Sequence, residues 1–153
     1  MTWWTGTGIM TDTSRTIAET FYAASAARDV ETIARLLADD VDWMVQGPID
    51  LFPFLGQRRG REAVLAGYRE MGRMMTVTRY EVETLLVDGD RSAALLRITT
   101  IMGDRGRVLS CRTSQFLRFR AGKICEMRGI IDTFDMVEQT IGRPLEVPLA
   151  PSN

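Results

Sequence analysis

The sequence contains no histidine. That excludes imidazole acid–base catalysis, Ser–His and Cys–His nucleophile pairs, and every His-containing zinc or iron site. Cysteine is scarce too: Cys111 and Cys125 are too few for a disulfide scaffold or a four-thiolate metal centre, and they fit a reduced, cytoplasmic setting. No stretch approaches the roughly 18 apolar residues of a membrane span. The start M-T-W-W-T-G-T-G-I-M also lacks the basic and apolar segments of a signal peptide. Charge of one sign is missing as well, since 19 Lys and Arg face 20 Asp and Glu. Without a basic field, neither a nucleic acid nor a membrane is an expected partner, and no metal or organic cofactor is implied.

What remains is the balance of one ordinary globular domain, with 45% hydrophobic and 25% charged residues in 153. Residues 1–12, with Trp3 and Trp4, read as a flexible extension, 13–146 as the domain and 147–153 as a C-terminal tail. Ile17, Phe21 and Ala24 recur at helical spacing over 16–27, with Thr16 and Glu19 as a capping box. A second short helix follows Asp29 as N-cap and ends at Asp39 and Asp40. Val41, Trp43 and Val45 alternate as a strand. Pro and Gly make 47–56 a loop, yet Leu51, Phe52, Phe54 and Leu55 are too apolar to be left in water. Gly60 opens a third helix with Val64, Tyr68, Met71 and Met75 on one face. Strands near 77–87, 91–102, 107–119 and 123–133 are divided by D-G-D, M-G-D-R-G and A-G-K turn chemistry. A short closing helix over 134–141 stops at Gly142 and Pro144. Helices followed by an antiparallel meander define an α+β class.

Turn choice sets which side chains share a face. Asp88-Gly89 as a two-residue turn pairs Tyr80 with Arg97 and Val82 with Leu95. A three-residue loop at 120–122 pairs Cys125 with Leu117, Met127 with Gln115, Gly129 with Thr113 and Cys111 with Ile131. The inner face then carries Tyr80, Arg97, Thr99, Thr113, Gln115, Met127 and Gly129. The opposite face of 91–102 is nearly as apolar, so the reverse orientation, or a second covered face, stays open; a second subunit is the simplest cover.

A-D-D-V-D-W entering the first strand, G-R-E-A-V-L-A-G-Y opening the third helix and F-L-R-F-R-A-G-K-I-C-E-M-R in the last hairpin resemble the nuclear transport factor 2-like superfamily. More narrowly they resemble its SnoaL-like and ketosteroid isomerase-like branch, over roughly residues 16–145. The resemblance implies a cone: a curved sheet wrapped around helices, an apolar pocket inside, and a homodimer formed through the sheet's outer face. The superfold hosts isomerases, cyclases, dehydratases, hydrolases and non-catalytic binders.

Carried over by position, the ketosteroid isomerase residues fall on Phe21, Val45 and Gln115, which cannot repeat that acid–base set. The Asp-Arg-Asp arrangement of limonene epoxide hydrolase falls on Thr99, Arg97 and Gly129, with Trp43 and Val45 beside it, so only the arginine survives. The aspartate of SnoaL-type cyclases also falls on Gly129. Dehydratases of this fold need a histidine. Asp132, three residues past that aspartate position, is either an acid/base group brought in by a bulge or the N-cap of the closing helix.

The candidate catalytic residues are therefore Arg97 to polarise an oxygen, Gln115 to assist, and Asp132 as acid/base. An internal ion pair for Arg97 is the structural alternative. Phe21, Trp43, Val45, Tyr68, Met71 and Tyr80, with Thr99, Thr113, Met127 and Gly129, are the expected ligand-binding set. The run Gln57, Arg58, Arg59, Gly60, Arg61 reads as a solvated basic loop or an anion site at a helix start. The expected function is metal-free isomerase, cyclase or epoxide hydrolase chemistry on an apolar oxygenated substrate. The alternatives are non-catalytic binding of an apolar small molecule and a dimeric interaction module.

Overall fold

The computed structural model describes residues 6–103 and 106–146. The elements in chain order are α1 (Gly6–Ala27), α2 (Val30–Leu36), β1 (Leu37–Gln46), β2 (Gly56–Arg59), α3 (Arg61–Met74), β3 (Met75–Asp88), β4 (Arg91–Met102), β5 (Arg107–Arg120), β6 (Lys123–Ile131) and α4 (Thr133–Ile141). One curved, open six-stranded sheet has the order β2-β1-β6-β5-β4-β3. All its pairings are antiparallel except that of β1 with β6. No helix among the described residues is long and apolar enough to cross a membrane.

Helix α1 begins at Gly6, ten residues before the periodic apolar pattern makes it legible, so residues 6–12 of the expected extension are helical. Residues 1–5 and the expected tail 147–153 lie outside the described residues. Thr16 sits well inside α1 and is not a capping residue; its carbonyl accepts from the Thr20 hydroxyl at 2.7 Å. Asp29 does cap α2, its carboxylate accepting from the Thr32 amide at 3.0 Å. The chain then passes straight from α2 into β1, which places Asp39 and Asp40 in the strand instead of at a helix end.

The β3–β4 hairpin turns at Gly89-Asp90, one residue later than expected, with Asp88 paired to Arg91. Two register shifts then accumulate along β3, leaving Thr78 and Glu83 as extra residues. Tyr80 consequently faces Ile98, and the inward row of β4 is Ser92, Ala94, Leu96, Ile98 and Thr100, not the row containing Arg97 and Thr99. A one-residue change in register sends every side chain to the opposite face, which is the reason for this correction. In the last hairpin the turn is Ala121-Gly122, both with positive φ, at 50° and 71°. An extra residue at Cys125 follows, because Arg118 faces Glu126 while Phe119 faces Ile124. Turn and bulge together preserve the expected faces but displace the pairing, so Gln115 meets Gly129 and Thr113 meets Ile131. Cys111 pairs with Ile98 on β4, not with Ile131 on β6, and both cysteines are free thiols.

The core has two parts. The larger joins α1, α2, α3 and the sheet through Phe21, Trp43, Leu96, Ile124 and Met127, with Phe21–Trp43 and Trp43–Tyr68 edge-to-face contacts at 6.0 Å. The smaller gathers Phe52, Met75, Leu109 and Met136. The apolar loop therefore does fold over something: Phe52 is fully buried in this second cluster. Helix α4 is capped by Asp132 and closed by left-handed Gly142. The Gln139 amide grips both backbone groups of Ser110, accepting from its N–H at 2.7 Å and donating to its carbonyl at 2.9 Å.

Candidate functional site

Between the two core clusters lies a cavity of about 150 Å³. Its walls come from α3, the inner sheet face, the 54–55 loop and Met136 of α4. The surface is mostly apolar because the strand alternation points Trp43, Val45, Ile98, Met127 and Ile131 inward, while α3 contributes Val64 and Met71. A cavity of this volume accommodates one small ring.

The polar groups in the walls are few. Ser25, Tyr68 and Tyr80 bring hydroxyls from α1, α3 and β3. Burial pushes the Tyr68 phenol up to about 12. Burial also holds the Tyr80 phenol well above its ordinary 10.0, with the neighbouring tyrosines adding to the rise. Ser25 lies close enough to both phenols to oppose these shifts, yet its buried hydroxyl forms no hydrogen bond of good geometry. Both phenols are therefore neutral donors at physiological pH. Cys111 is also held neutral, its thiol raised by burial and then by the charge of Asp135. Thr113 is satisfied, donating to the Ile130 carbonyl at 3.1 Å. Gln115 is not: its buried Oε1 has no hydrogen-bond partner among the described residues.

Among the described residues, Arg58 supplies the one formal charge in the wall. Its Nε donates to Phe54 O at 3.2 Å, Nη1 to Ala63 O at 3.3 Å, and Nη2 to Pro53 O at 2.8 Å and to Glu70 Oε2 at 3.2 Å. Among the described residues, no Asp or Glu lines the cavity.

Of the expected site residues, Trp43, Val45, Tyr68, Met71, Tyr80, Thr113, Gln115 and Met127 are brought together around this space. Phe21 stands behind Trp43, and Gly129 lies under Val45, whose methyls would be 3.2 and 3.3 Å from any added Cβ. Arg97 is not in the site. It lies on the outer sheet face, and its Nε donates to Glu83 Oε1 at 2.9 Å. Thr99 shares that face, 3.2 Å from Ser110 Oγ. Asp132 is exposed and caps α4, accepting from the Asp135 amide at 3.1 Å. Both charged candidates are thereby removed, Arg97 by the register of β4 and Asp132 by its cap.

Arg58 is the residue that sequence reasoning missed. The R-R-G-R run reads as exposed charge, but Gln57–Arg59 belong to β2, and pairing with β1 sets Arg58 opposite Trp43. Alternation from Trp43 would have found it had the strand been visible. Ser25, one residue after Ala24 on the periodic face of α1, carries no comparable signal. Among the described residues, no cluster of three or more acidic or thiol side chains is arranged to hold a metal.

A cone of helices and curved sheet around an apolar cavity defines a nuclear transport factor 2-like protein. The chain belongs to the SnoaL-like domain family, whose model matches residues 18–127. A solved structure named "Putative Isomerase from Rhodopseudomonas palustris" is 34% identical, with a TM-score of 0.74, covering 82% of this chain and 93% of that one. An NTF2-like protein from Burkholderia xenovorans LB400 has the same fold at 22% identity and TM-score 0.74, covering 85% and 97%. An LEH-like epoxide hydrolase from M. tuberculosis shares it at 18% identity and TM-score 0.71, covering 86% and 92%. No curated protein matches the chain.

Proposed function

We propose that this SnoaL-like domain binds one small, flat, apolar molecule inside the cone, anchored by a hydrogen bond to Gln115. The unpartnered, buried Oε1 of Gln115 in an otherwise apolar cavity carries this reading. A buried acceptor without a partner costs about 1–3 kcal/mol, and a ligand O–H or N–H recovers part of it. Neutral phenols, a neutral thiol and the lack of any lining carboxylate support holding a ligand over abstracting a proton from it.

A second reading, cofactor-free isomerase, cyclase or epoxide hydrolase chemistry, is supported by a specific observation. The protonated hydroxyls of Tyr68 and Tyr80 would polarise a ligand oxygen, the task that the sequence suggests for Arg97. The relative from R. palustris, named as an isomerase, favours the same reading. Titration of the ¹⁵N-labelled protein in H₂O with 2-hydroxycyclohexanone, which offers both an O–H donor and exchangeable α-protons, followed by incubation of the same ligand with the protein in D₂O, separates the two. Binding shifts at Gln115 without proton exchange above buffer support a binding protein. Exchange α to the carbonyl supports an enzyme, and no shift at any cavity residue refutes both.

Phe116, Ile130 and Val108 stand 46%, 50% and 57% exposed on the outer sheet face. We propose that a second copy of the chain covers them. Sedimentation equilibrium should give a dimer that Phe116→Glu with Ile130→Lys dissociates; a monomeric parent protein refutes this.

A further inference from the structure

Helix α3 carries Gly67 in its middle, although glycine there costs about 1 kcal/mol relative to alanine. Its backbone is ordinary helix, so conformational freedom does not account for it. Space does: a Cβ at Gly67 would lie 2.7 Å from Arg58 Nε and 3.1 Å from Arg58 Cζ. The absent methyl is the seat of the guanidinium. The side chain of Arg58 is only 18% exposed there, while its partner Glu70 is 38% exposed. A guanidinium has five N–H donors. Four are used by Phe54, Ala63, Pro53 and Glu70, which leaves one Nη1–H without a partner among the described residues.

Three of the four acceptors are neutral carbonyls, so Glu70 alone offsets the charge, and it does so from the more solvated side. Facing the cavity, the guanidinium meets no carboxylate. An arginine needed only to tie the 53–54 loop to α3 would not require a wall position in a ligand-sized space. Opposite Trp43 in the β1–β2 ladder, Arg58 puts positive charge beside an aromatic wall.

We propose that Arg58 is a specificity-determining residue that selects small aromatic acids, donating its free Nη1–H to an ionised carboxylate while the ring occupies the apolar cavity. This rests on the cavity being a ligand site, as proposed above, and adds the charge class of the ligand. Charge-assisted hydrogen bonds of this kind are the strong ones, and the low dielectric of the cavity magnifies discrimination between charge signs.

Three probes of nearly one shape test it: benzoate, benzyl alcohol and benzylammonium, titrated at neutral pH by calorimetry. Benzoate should bind about tenfold more tightly than benzylammonium, with benzyl alcohol between them. Glu70→Gln keeps an acceptor for Nη2 but removes the competing charge. It should tighten benzoate about threefold to tenfold and leave benzyl alcohol unchanged. Arg58→Gln should erase the preference. Should that variant fail to fold, the half-buried Glu70→Gln decides alone. Equal affinity for benzoate and benzyl alcohol, or a benzoate affinity indifferent to Glu70→Gln, overturns the role of Arg58 while the cavity stands as a binding site. Failure of all three probes to bind overturns both.

Discussion

Replacing Gln115 with methionine should make the empty protein more stable and the binding protein worse. The side chain stands in a row with Ala94 on β4 and Gly129 on β6, so its neighbours at the same level are small and a flexible side chain of similar volume fits. Its Oε1 is buried with no protein partner. Removing such an acceptor recovers about 1 kcal/mol of the usual desolvation penalty of about 1–3 kcal/mol. For a chain of this size that raises Tm by about 2–4 °C. A hydroxylated ligand loses one hydrogen bond, about 0.5–1.5 kcal/mol, which weakens Kd about twofold to tenfold. Toluene, with the ring but no donor, should bind both proteins alike. Thermal melts monitored by circular dichroism, with calorimetric titrations of benzyl alcohol and toluene, read all three quantities. A lower Tm in Gln115→Met, or equal losses for both ligands, would refute the reasoning.

The chain's three tyrosines are all raised above 10.0, Tyr22 chiefly by burial. Their protonated forms stabilise the fold fully below that value, and the contribution is lost as pH climbs towards the folded value, about 12 at Tyr68. Absorbance at 295 nm should therefore show no phenolate step near pH 10 in the folded protein; a step there contradicts the burial. Asp42 moves the other way. Its carboxyl is held below 3.8 by the hydrogen bond and charge of Arg128, so its stabilisation is present above 3.8 and lost as pH falls through the lower folded value. Urea midpoints from pH 5 to 2.5 should fall less steeply in Asp42→Asn than in the parent protein. Asp132→Asn and Arg97→Ala should both leave ligand affinity unchanged, and Asp132→Ala should cost about 1 kcal/mol as a lost helix cap. A large affinity loss in Asp132→Asn would return that carboxylate to the site.

Alternation and turn residues made most of the architecture readable. The inward rows of β5 and β6 follow from Thr113, Gln115, Met127 and Gly129 because bulge and turn errors in that hairpin cancel in parity. The row of β4 falls on the other side because Glu83 is an extra residue on β3: shifting the turn from Asp88-Gly89 to Gly89-Asp90 moves each pairing by two and leaves the faces unchanged, whereas one inserted residue exchanges them. No local signal marks that bulge or the one at Thr78, each an extra residue in a bending strand. Helix α1 starts early because Gly6–Asp12 carries no periodic apolar face of its own. Arg58 was hidden for a related reason: β2 is four residues long and half of it is charged, and only pairing with β1 makes it a strand.

The parallel pairing of β1 with β6 bears on the order in which the molecule assembles. Its neighbouring side-chain contacts, Arg120 to Asp40 and Arg128 to Asp42, span 80 and 86 residues of chain. Hairpins β3–β4 and β5–β6 close over two-residue turns and can form early, whereas β1 has no sheet to join until β6 exists. During synthesis from the N-terminus, α1, α2 and β1 emerge well before that partner. The inner wall bearing Trp43 thus depends on the strand pairing of greatest sequence separation in the sheet, and the cavity depends on it too.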